Sequence, residues 1–162
     1  MSQSRSLAVL FTCLAGTALS PAAFATDYFV APGGTYEEVS EAIAVAAPGD
    51  RIFVAPGQYR GFDLSKPLEI RGSTTGTTRI GAFDDPARTL VTGIPAGTVA
   101  TLSNMSFDPA NFATFDFGAQ VSVTDNQGTV VLQNIETNTS PLAWHIGPGV
   151  VAENTQRLII QG

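Results

Sequence analysis

Short stretches in which apolar and polar residues alternate fill most of the chain and predict β-strands. The clearest are Arg51-Ile52-Phe53-Val54 and Leu68-Glu69-Ile70-Arg71, each bounded by Pro or Gly. The second face of each alternation is polar, which is typical of a sheet with one side on a core and one side in solvent. Further strands are predicted at 27–30, 61–64, 98–102, 120–124, 129–133 and 157–161.

One segment follows helical spacing instead, with apolar residues recurring from Val39 to Ala46. It predicts an α-helix over residues 35–47. Thr35 is expected to cap its amino terminus, because Glu38 three residues later completes a capping box. Pro48-Gly49 ends the helix. One face is apolar and the other acidic, so the helix should lie against the end or side of a core.

Four short segments repeat along the chain. Each begins with an aliphatic or small residue, has Ile or Leu third and a polar residue fourth, and ends in Gly or Asn. Their last residues are spaced 32, 30 and 28 positions apart, a period in the range of solenoid repeats. Gly or Asn tolerates the left-handed backbone of a sharp corner, and a stacked Asn can hydrogen-bond its equivalent on the next coil. The segments are 68–72, 100–104, 130–134 and 158–162.

The stretch from Thr35 to Gly72 resembles the amino-terminal cap and first coil of the pectin-lyase-like superfamily, whose members are right-handed parallel β-helices. The matching parts are the helix, then Pro48-Gly49-Asp50-Arg51-Ile52-Phe53-Val54-Ala55-Pro56-Gly57-Gln58-Tyr59, then Lys66-Pro67-Leu68-Glu69-Ile70-Arg71-Gly72. The resemblance implies an all-β solenoid of about four coils over residues 50–162, with one capping helix. It also implies a secreted or surface protein that binds polysaccharide or acts on it.

The balance of charged residues bears on which ligands the protein can bind. The 162 residues carry 8 basic and 14 acidic side chains, a net charge of −6. A nucleic-acid-binding protein needs a basic face, so this balance argues against one.

The first 25 residues predict a secretory signal peptide. Arg5 supplies the positive start, an apolar run extends from Leu7 to Leu19, and Ala23-Phe24-Ala25 is a small-x-small cleavage site. The run is too short to cross a membrane, so no membrane span is expected, and Cys13 lacks the preceding small residue of a lipoprotein signal. Cleavage after Ala25 would leave a β-helix domain at 26–162, located outside the cell, in a periplasm or on a cell surface.

Acidic side chains are the first candidates for chemistry on a polysaccharide, which needs paired carboxylates or carboxylates holding calcium. Asp84 and Asp85 are adjacent, and the guanidinium of Arg88 is close by. The alternative is that Asp84-Asp85-Pro86 is simply a turn. Nothing else in the sequence supports calcium, so no cofactor and no metal site are expected. A second acidic set is formed by Asp108, Asp116 and Asp125.

Aromatic residues supply the candidates for ligand binding. Trp144 could stack on a sugar ring, and His145 is the only histidine and could titrate near neutral pH. In a strand the two would point to opposite faces, which speaks against one shared site. Four phenylalanines cluster nearby and are expected in the core rather than on a binding platform: Phe107, Phe112, Phe115 and Phe117.

These observations favour a secreted or cell-surface module that binds carbohydrate or has a structural role. The alternative is the amino-terminal section of a polysaccharide lyase, epimerase or glycoside hydrolase acting on an acidic polysaccharide. Activity in this chain alone is not expected, since no catalytic constellation stands out. The strand at 157–161 has no polar cap after it, so its edge is expected to pair with another chain or with a continuation of this one.

Overall fold

The computed structural model describes residues 24–81, 88–108, 120–137 and 149–162, and the protein is mostly β in these parts. Ten strands and one short helix are present there. No helix in the described ranges is long and apolar enough to span a membrane. The elements are β1 (Asp27–Val30), α1 (Val39–Val45), β2 (Arg51–Val54), β3 (Gly57–Tyr59), β4 (Asp63–Leu64), β5 (Glu69–Gly72), β6 (Thr78–Ile80), β7 (Thr89–Thr92), β8 (Val99–Phe107), β9 (Val121–Thr137) and β10 (Val150–Gln161).

All of the strand pairing is parallel, and the sheet curls around one core. Its strands stack on three sides, to which the chain returns repeatedly. Side A stacks β1, β2, β5, the start of β8, and the later parts of β9 and β10. Side B stacks β3, β6 and the ends of β8 and β9. Side C stacks β4, β7, and the early parts of β9 and β10. This arrangement is compatible with a β-helix-like solenoid.

The predicted repeat is confirmed in its register. Ile70 pairs with Leu102, Leu102 with Leu132, and Leu132 with Ile160, so the third residues of all four segments stack on side A. The first three are completely buried. Sides B and C contribute matching inward rows, so the core is a pile of aliphatic layers with Tyr59 and Phe107 among them.

The corners after side A show why Asn and Gly close the segments. Asn104 and Asn134 have φ values of 55° and 49°, the left-handed region that Asn tolerates better than most residues. The Asn134 amide Nδ2 donates to Asn104 Oδ1 at 2.9 Å, which confirms the expected stacking. Gly72 differs, because its φ is not left-handed. A Cβ there would collide with the carbonyl oxygen of Asn104, so Gly72 is required by close approach of the next coil.

The helix is shorter than the predicted 35–47 and begins later. Tyr36 is held in extended backbone, because it forms a parallel bridge with Val30 and its carbonyl accepts from the Ala31 amide at 3.0 Å. Thr35 therefore is not the cap. Glu38 is the N-cap residue, and the carboxylate of Glu41 completes the capping box one turn further on.

Two charged side chains close the helical end of the core. Lys66 Nζ donates to the carbonyls of Ile43, Ala44 and Ala46 at 2.8–3.2 Å, which satisfies the carboxyl end of α1. Asp50 is 5% exposed and accepts from the amide of Ala47 on one oxygen and from Thr26 on the other. These contacts tie β1, α1 and β2 together.

Candidate functional site

The outward face of side A carries a row of side chains that begins with two aromatics. Phe29 of β1 pairs in register with Phe53 of β2, and Phe53 with Arg71 of β5. Ser103 of β8 follows in register but is only 6% exposed, and Gln133 of β9 beyond it is exposed. Parallel pairing places successive residues one strand spacing apart, about 4.8 Å, so Phe29, Phe53 and Arg71 form a continuous strip.

The two aromatic rings are stacked, with Phe29 exposed and Phe53 half-buried. The ring centroids of Phe29 and Phe53 lie 5.5 Å apart with an angle of 19° between the planes. Phe29 remains 66% exposed. Inward neighbours explain why these rings face solvent: Ile52 and Val54 alternate with Phe53 and occupy the core. A stacked aromatic pair on the surface of a protein is unusual enough to mark an interaction site.

Positive charge lies on both sides of Phe53. The guanidinium carbon of Arg51 is 5.9 Å from the ring centroid, and its Nε is 2.7 Å from Asp27 Oδ1. Arg51 is therefore neutralised by its ion pair. Arg71 is exposed and has no ion pair with any other described residue. Its guanidinium is available for an anionic or hydroxyl-bearing ligand next to the rings.

A shallow groove of about 440 Å³ joins these groups. Its walls are Phe29, Phe53 and Arg71, and its floor is the backbone that leaves β1, β2 and β5 at the corner. Ser73 lines the far end, where its Oγ donates to the Val54 carbonyl at 3.2 Å. The groove combines an apolar wall with one guanidinium and one hydroxyl, the pattern of a site that orients a small polar ligand.

A second, wider depression of about 720 Å³ lies at the corner between sides C and A. Its lining is polar and includes Asp125, Asn154, Gln127 and Gln156. Asp125 and Asn154 both have left-handed φ values, and Asn154 Nδ2 donates to Asp125 Oδ1 at 2.6 Å. Beneath them Asn126 is buried and bonds the Ile94 amide and the Val91 carbonyl, which makes the corner rigid.

The pKa shifts fall outside the groove. The amides of Thr26 and Ala47 donate to Asp50 and lower the pKa of its carboxyl group, with a smaller contribution from the Tyr28 hydroxyl. Burial raises the pKa of Tyr28, and the negative charge of Asp50 adds to this. Burial also raises the pKa of Tyr59, whose hydroxyl donates to the Ala55 carbonyl at 2.9 Å. All three groups hold the first coil together.

The first predicted acidic site remains a prediction. Asp84 and Asp85 lie outside the described residues. Arg88 is described and is exposed just before β7. The pair Trp144 and His145 also lies outside the described ranges, as do Asp116 and three of the clustered phenylalanines.

Two acidic residues of the second set are separated by the fold. Asp108 follows side B, is 5% exposed, and forms an ion pair with Arg79 at 2.6 Å. Asp125 lies at the corner between sides C and A. These two residues therefore do not share a site. Phe107 is buried, as expected for a core residue.

Within the described ranges, no group of three or more His, Cys, Asp or Glu side chains is arranged to hold a metal ion. The arrangement on side A can stack on a flat apolar surface and donate hydrogen bonds from Arg71. The only side-chain hydroxyl among the groove residues, that of Ser73, is hydrogen-bonded to the Val54 carbonyl. The groove can therefore pack against a ligand and hydrogen-bond it.

Phe29 and Phe53 were missed as candidates by the sequence analysis, which treated both as ordinary strand residues. A signal was present. In Arg51-Ile52-Phe53-Val54 the aliphatic residues take the inward positions, so alternation places the phenylalanine outward. The same holds for Phe29 beside Val30. Only the register of β1 on β2 shows that the two rings meet.

The fold and site define a class: a mostly β protein with a curled parallel sheet and an outward aromatic strip. No protein-family model, curated protein or solved structure matches the chain.

Proposed function

We propose that this protein is a secreted or cell-surface β-helix module that binds carbohydrate through the side A groove. The stacking of the exposed Phe29 on the half-buried Phe53, beside Arg71, is the observation that carries the proposal. Sugar rings present apolar C–H faces that pack on aromatic rings, and their hydroxyl and carboxylate groups accept from guanidinium. Gln133, which is exposed two strands beyond Arg71 on the same side, offers an amide group to a further sugar unit.

The finer description of the fold belongs to the same proposal. We assign the chain to a right-handed parallel β-helix of about four coils, resembling the pectin-lyase-like superfamily. The three-sided stacking and the confirmed register of the repeat support this assignment. Parallel connections within one sheet are right-handed in nearly all proteins, which supports the handedness.

Export from the cytoplasm is part of the proposal, with cleavage of the leader after Ala25. One contact supports it: the amide of Thr26, the residue that follows the cleavage site, donates to Asp50 Oδ1 at 2.8 Å and so ties the start of the exported chain to the core. A module outside the cytoplasm would also be in contact with extracellular polysaccharide.

The test is affinity electrophoresis of residues 26–162 in gels that contain a neutral or an anionic polysaccharide. We expect retardation, stronger on the anionic gel. Replacement of Phe29 and Phe53 together by Ala should weaken binding roughly thirtyfold, since aromatic contacts contribute about 1 kcal/mol each. Arg71→Gln should reduce the preference for the anionic polymer and its dependence on salt.

The matched control is Val45→Ser, which removes an exposed apolar side chain from α1, away from the groove. It should bind like the unmodified protein. Thermal melts of all variants exclude unfolding as the cause of lost binding. Absence of retardation on every gel, or an unchanged mobility of the Phe29→Ala/Phe53→Ala variant, would refute the proposal.

A further inference from the structure

Within the described ranges, no strand covers the face of β10 that lies away from β9, and the aliphatic core there is exposed. Ile160 occupies the inward position that Leu102 and Leu132 occupy on the strands below it, yet it is 63% exposed while they are fully buried. Leu158 and Val150 are also inward-facing and only partly buried. Among the described residues, β10 pairs with β9 alone, so its other edge presents unpaired backbone groups.

The strand has an unusual shape that restricts what can cover it. β10 runs along two sides of the molecule: Val150–Glu153 stack on side C, and Arg157–Gln161 stack on side A. The corner between them is Asn154 to Gln156, with Thr155 at its centre. A covering strand must follow the same bend over the same length.

A second copy of β10 meets this requirement when it is antiparallel and related by a twofold axis through Thr155. The side C arm of one copy then lies on the side A arm of the other, and both arms are paired. A residue n positions before Thr155 then faces the residue n positions after Thr155 of the second copy. Inward residues therefore meet inward residues: Val150 lies opposite Ile160 of the second copy, and Ala152 lies opposite Leu158.

The outward positions show charge complementarity in this register. Glu153 lies opposite Arg157 of the second copy, and the symmetry forms this pair twice. Both side chains are exposed in the single chain and have no ion-pair partner among the described residues. Opposite charges directly across an antiparallel pair are stabilising, while a shift by two residues would separate them.

We propose that the open end of the core is the docking surface for a second copy of this chain, through antiparallel β10–β10 pairing centred on Thr155. The contact buries Ile160 and Leu158 of both subunits and continues the backbone hydrogen bonding from one solenoid into the other. The interface is self-complementary and closed, so the assembly stops at a dimer and does not extend into fibres.

Sedimentation equilibrium of residues 26–162, across a range of protein concentrations, tests the proposal. We expect a monomer–dimer equilibrium. Glu153→Arg and Arg157→Glu should each raise the dissociation constant roughly tenfold or more, because each places like charges together twice. The double variant Glu153→Arg/Arg157→Glu should restore it to near the original value.

Glu136→Arg is the control, because Glu136 is exposed on side B of β9, away from the open end. It makes the same charge change and should leave the dissociation constant unaltered. Register is tested with Val151→Cys/Ile159→Cys, whose sulfurs face each other across the proposed interface. The only cysteine of the natural sequence is Cys13, outside this fragment, so oxidation should give a covalent dimer without background.

A protein that remains monomeric at high concentration would overturn the proposal. So would a dimer that is indifferent to both charge reversals, since another surface would then be responsible. A native protein that continues past Gly162 and is monomeric would also overturn it, because its own next strand would cover β10.

Discussion

At the scale of single residues, the corners are stabilised by side chains that accept an unusual backbone. Asn104 and Asn134 hold left-handed φ values and are joined by an amide hydrogen bond. Asp125 and Asn154 repeat the arrangement at another corner. The side-chain hydrogen bond between neighbouring coils thus offsets the strain of the left-handed backbone at each corner.

Substitutions at Asn134 separate the contribution of its hydrogen bond to Asn104 from that of its tolerance for a left-handed backbone. Asn134→Gly keeps the left-handed backbone accessible and loses only the bond to Asn104, so it should lower the free energy of unfolding by about 1 kcal/mol or less. Asn134→Ala loses the bond and also places a Cβ in the left-handed region, so the loss should be about 2 kcal/mol. Urea unfolding measures both; equal losses would contradict the strain argument.

Asp50 should make the stability of the folded protein depend on pH in the acidic range. Its carboxyl pKa is lowered in the folded protein, chiefly by the Thr26 and Ala47 amides. Its contribution is therefore present above the pKa of the unfolded chain, near 4, and is lost as the pH falls through the folded value. Asp50→Asn should lower the melting temperature at pH 7 and reduce the difference in melting temperature between pH 7 and pH 3.

The matched comparison is Asp63→Asn, an exposed carboxylate on β4. This change should leave both melting temperatures close to those of the unmodified protein. Equal effects of the two substitutions would mean that the hydrogen bonds of Asp50 contribute nothing.

At the scale of elements, the helix depends on groups that come from elsewhere in the chain. Seven residues are too few to form a stable helix alone. Burial of Val39, Ala42 and Ile43 holds α1 on the core, and Lys66 bonds three of its last carbonyls. The helix is therefore a product of the first coil.

Lys66→Met keeps the aliphatic stem and removes the ammonium group. It leaves the carboxyl end of α1 without its donors, so the free energy of unfolding should fall by about 1–2 kcal/mol. Arg60→Met changes an exposed cation whose backbone amide contacts Glu38 at the amino end of α1, and should cost less than about 0.5 kcal/mol. Chemical denaturation measures both, and equal losses would show that Lys66 does not cap the helix.

At the scale of the whole molecule, the stacked aliphatic core of the described residues is covered at the α1 end and exposed at the β10 end. The helical end is covered by α1 and tied by Asp50, while the other ends in β10. Equivalent residues along one inward row therefore have very different environments. The difference in burial between equivalent inward residues depends on how close their strand lies to the end of the stack.

Leu132 and Ile160 test this gradient. Leu132→Ala should lower the free energy of unfolding by about 2–5 kcal/mol, because it opens a cavity between buried layers. Ile160→Ala should cost less than about 1 kcal/mol when measured at concentrations where the chain is monomeric. Equal losses in dilute protein would mean that the end is covered within a single chain.

Much of this architecture was predictable from the sequence. Alternation located β1, β2, β4 and β5 and parts of β8, β9 and β10, but it did not predict β3, β6 or β7. The positions of Ile, Leu and Asn in the repeat identified the correct register between coils. Separate strands were predicted at 120–124 and 129–133, but the structure has one continuous strand, β9, with a bend from Asp125 to Gly128. The helix start was also wrong, because Tyr36 is held extended by a bridge to Val30, which local pattern does not show.

The sequence by itself determined which residues face the core, because the period of apolar residues is local and each strand carries it alone. Only the tertiary structure decided which outward side chains meet. Phe29 lies on Phe53 across 24 residues of sequence, and Asn134 on Asn104 across 30, because parallel coils bring distant positions to one strand spacing. The candidate groove and the open end at Ile160 are consequences of stacking order, a property of the assembled coils and not of any segment.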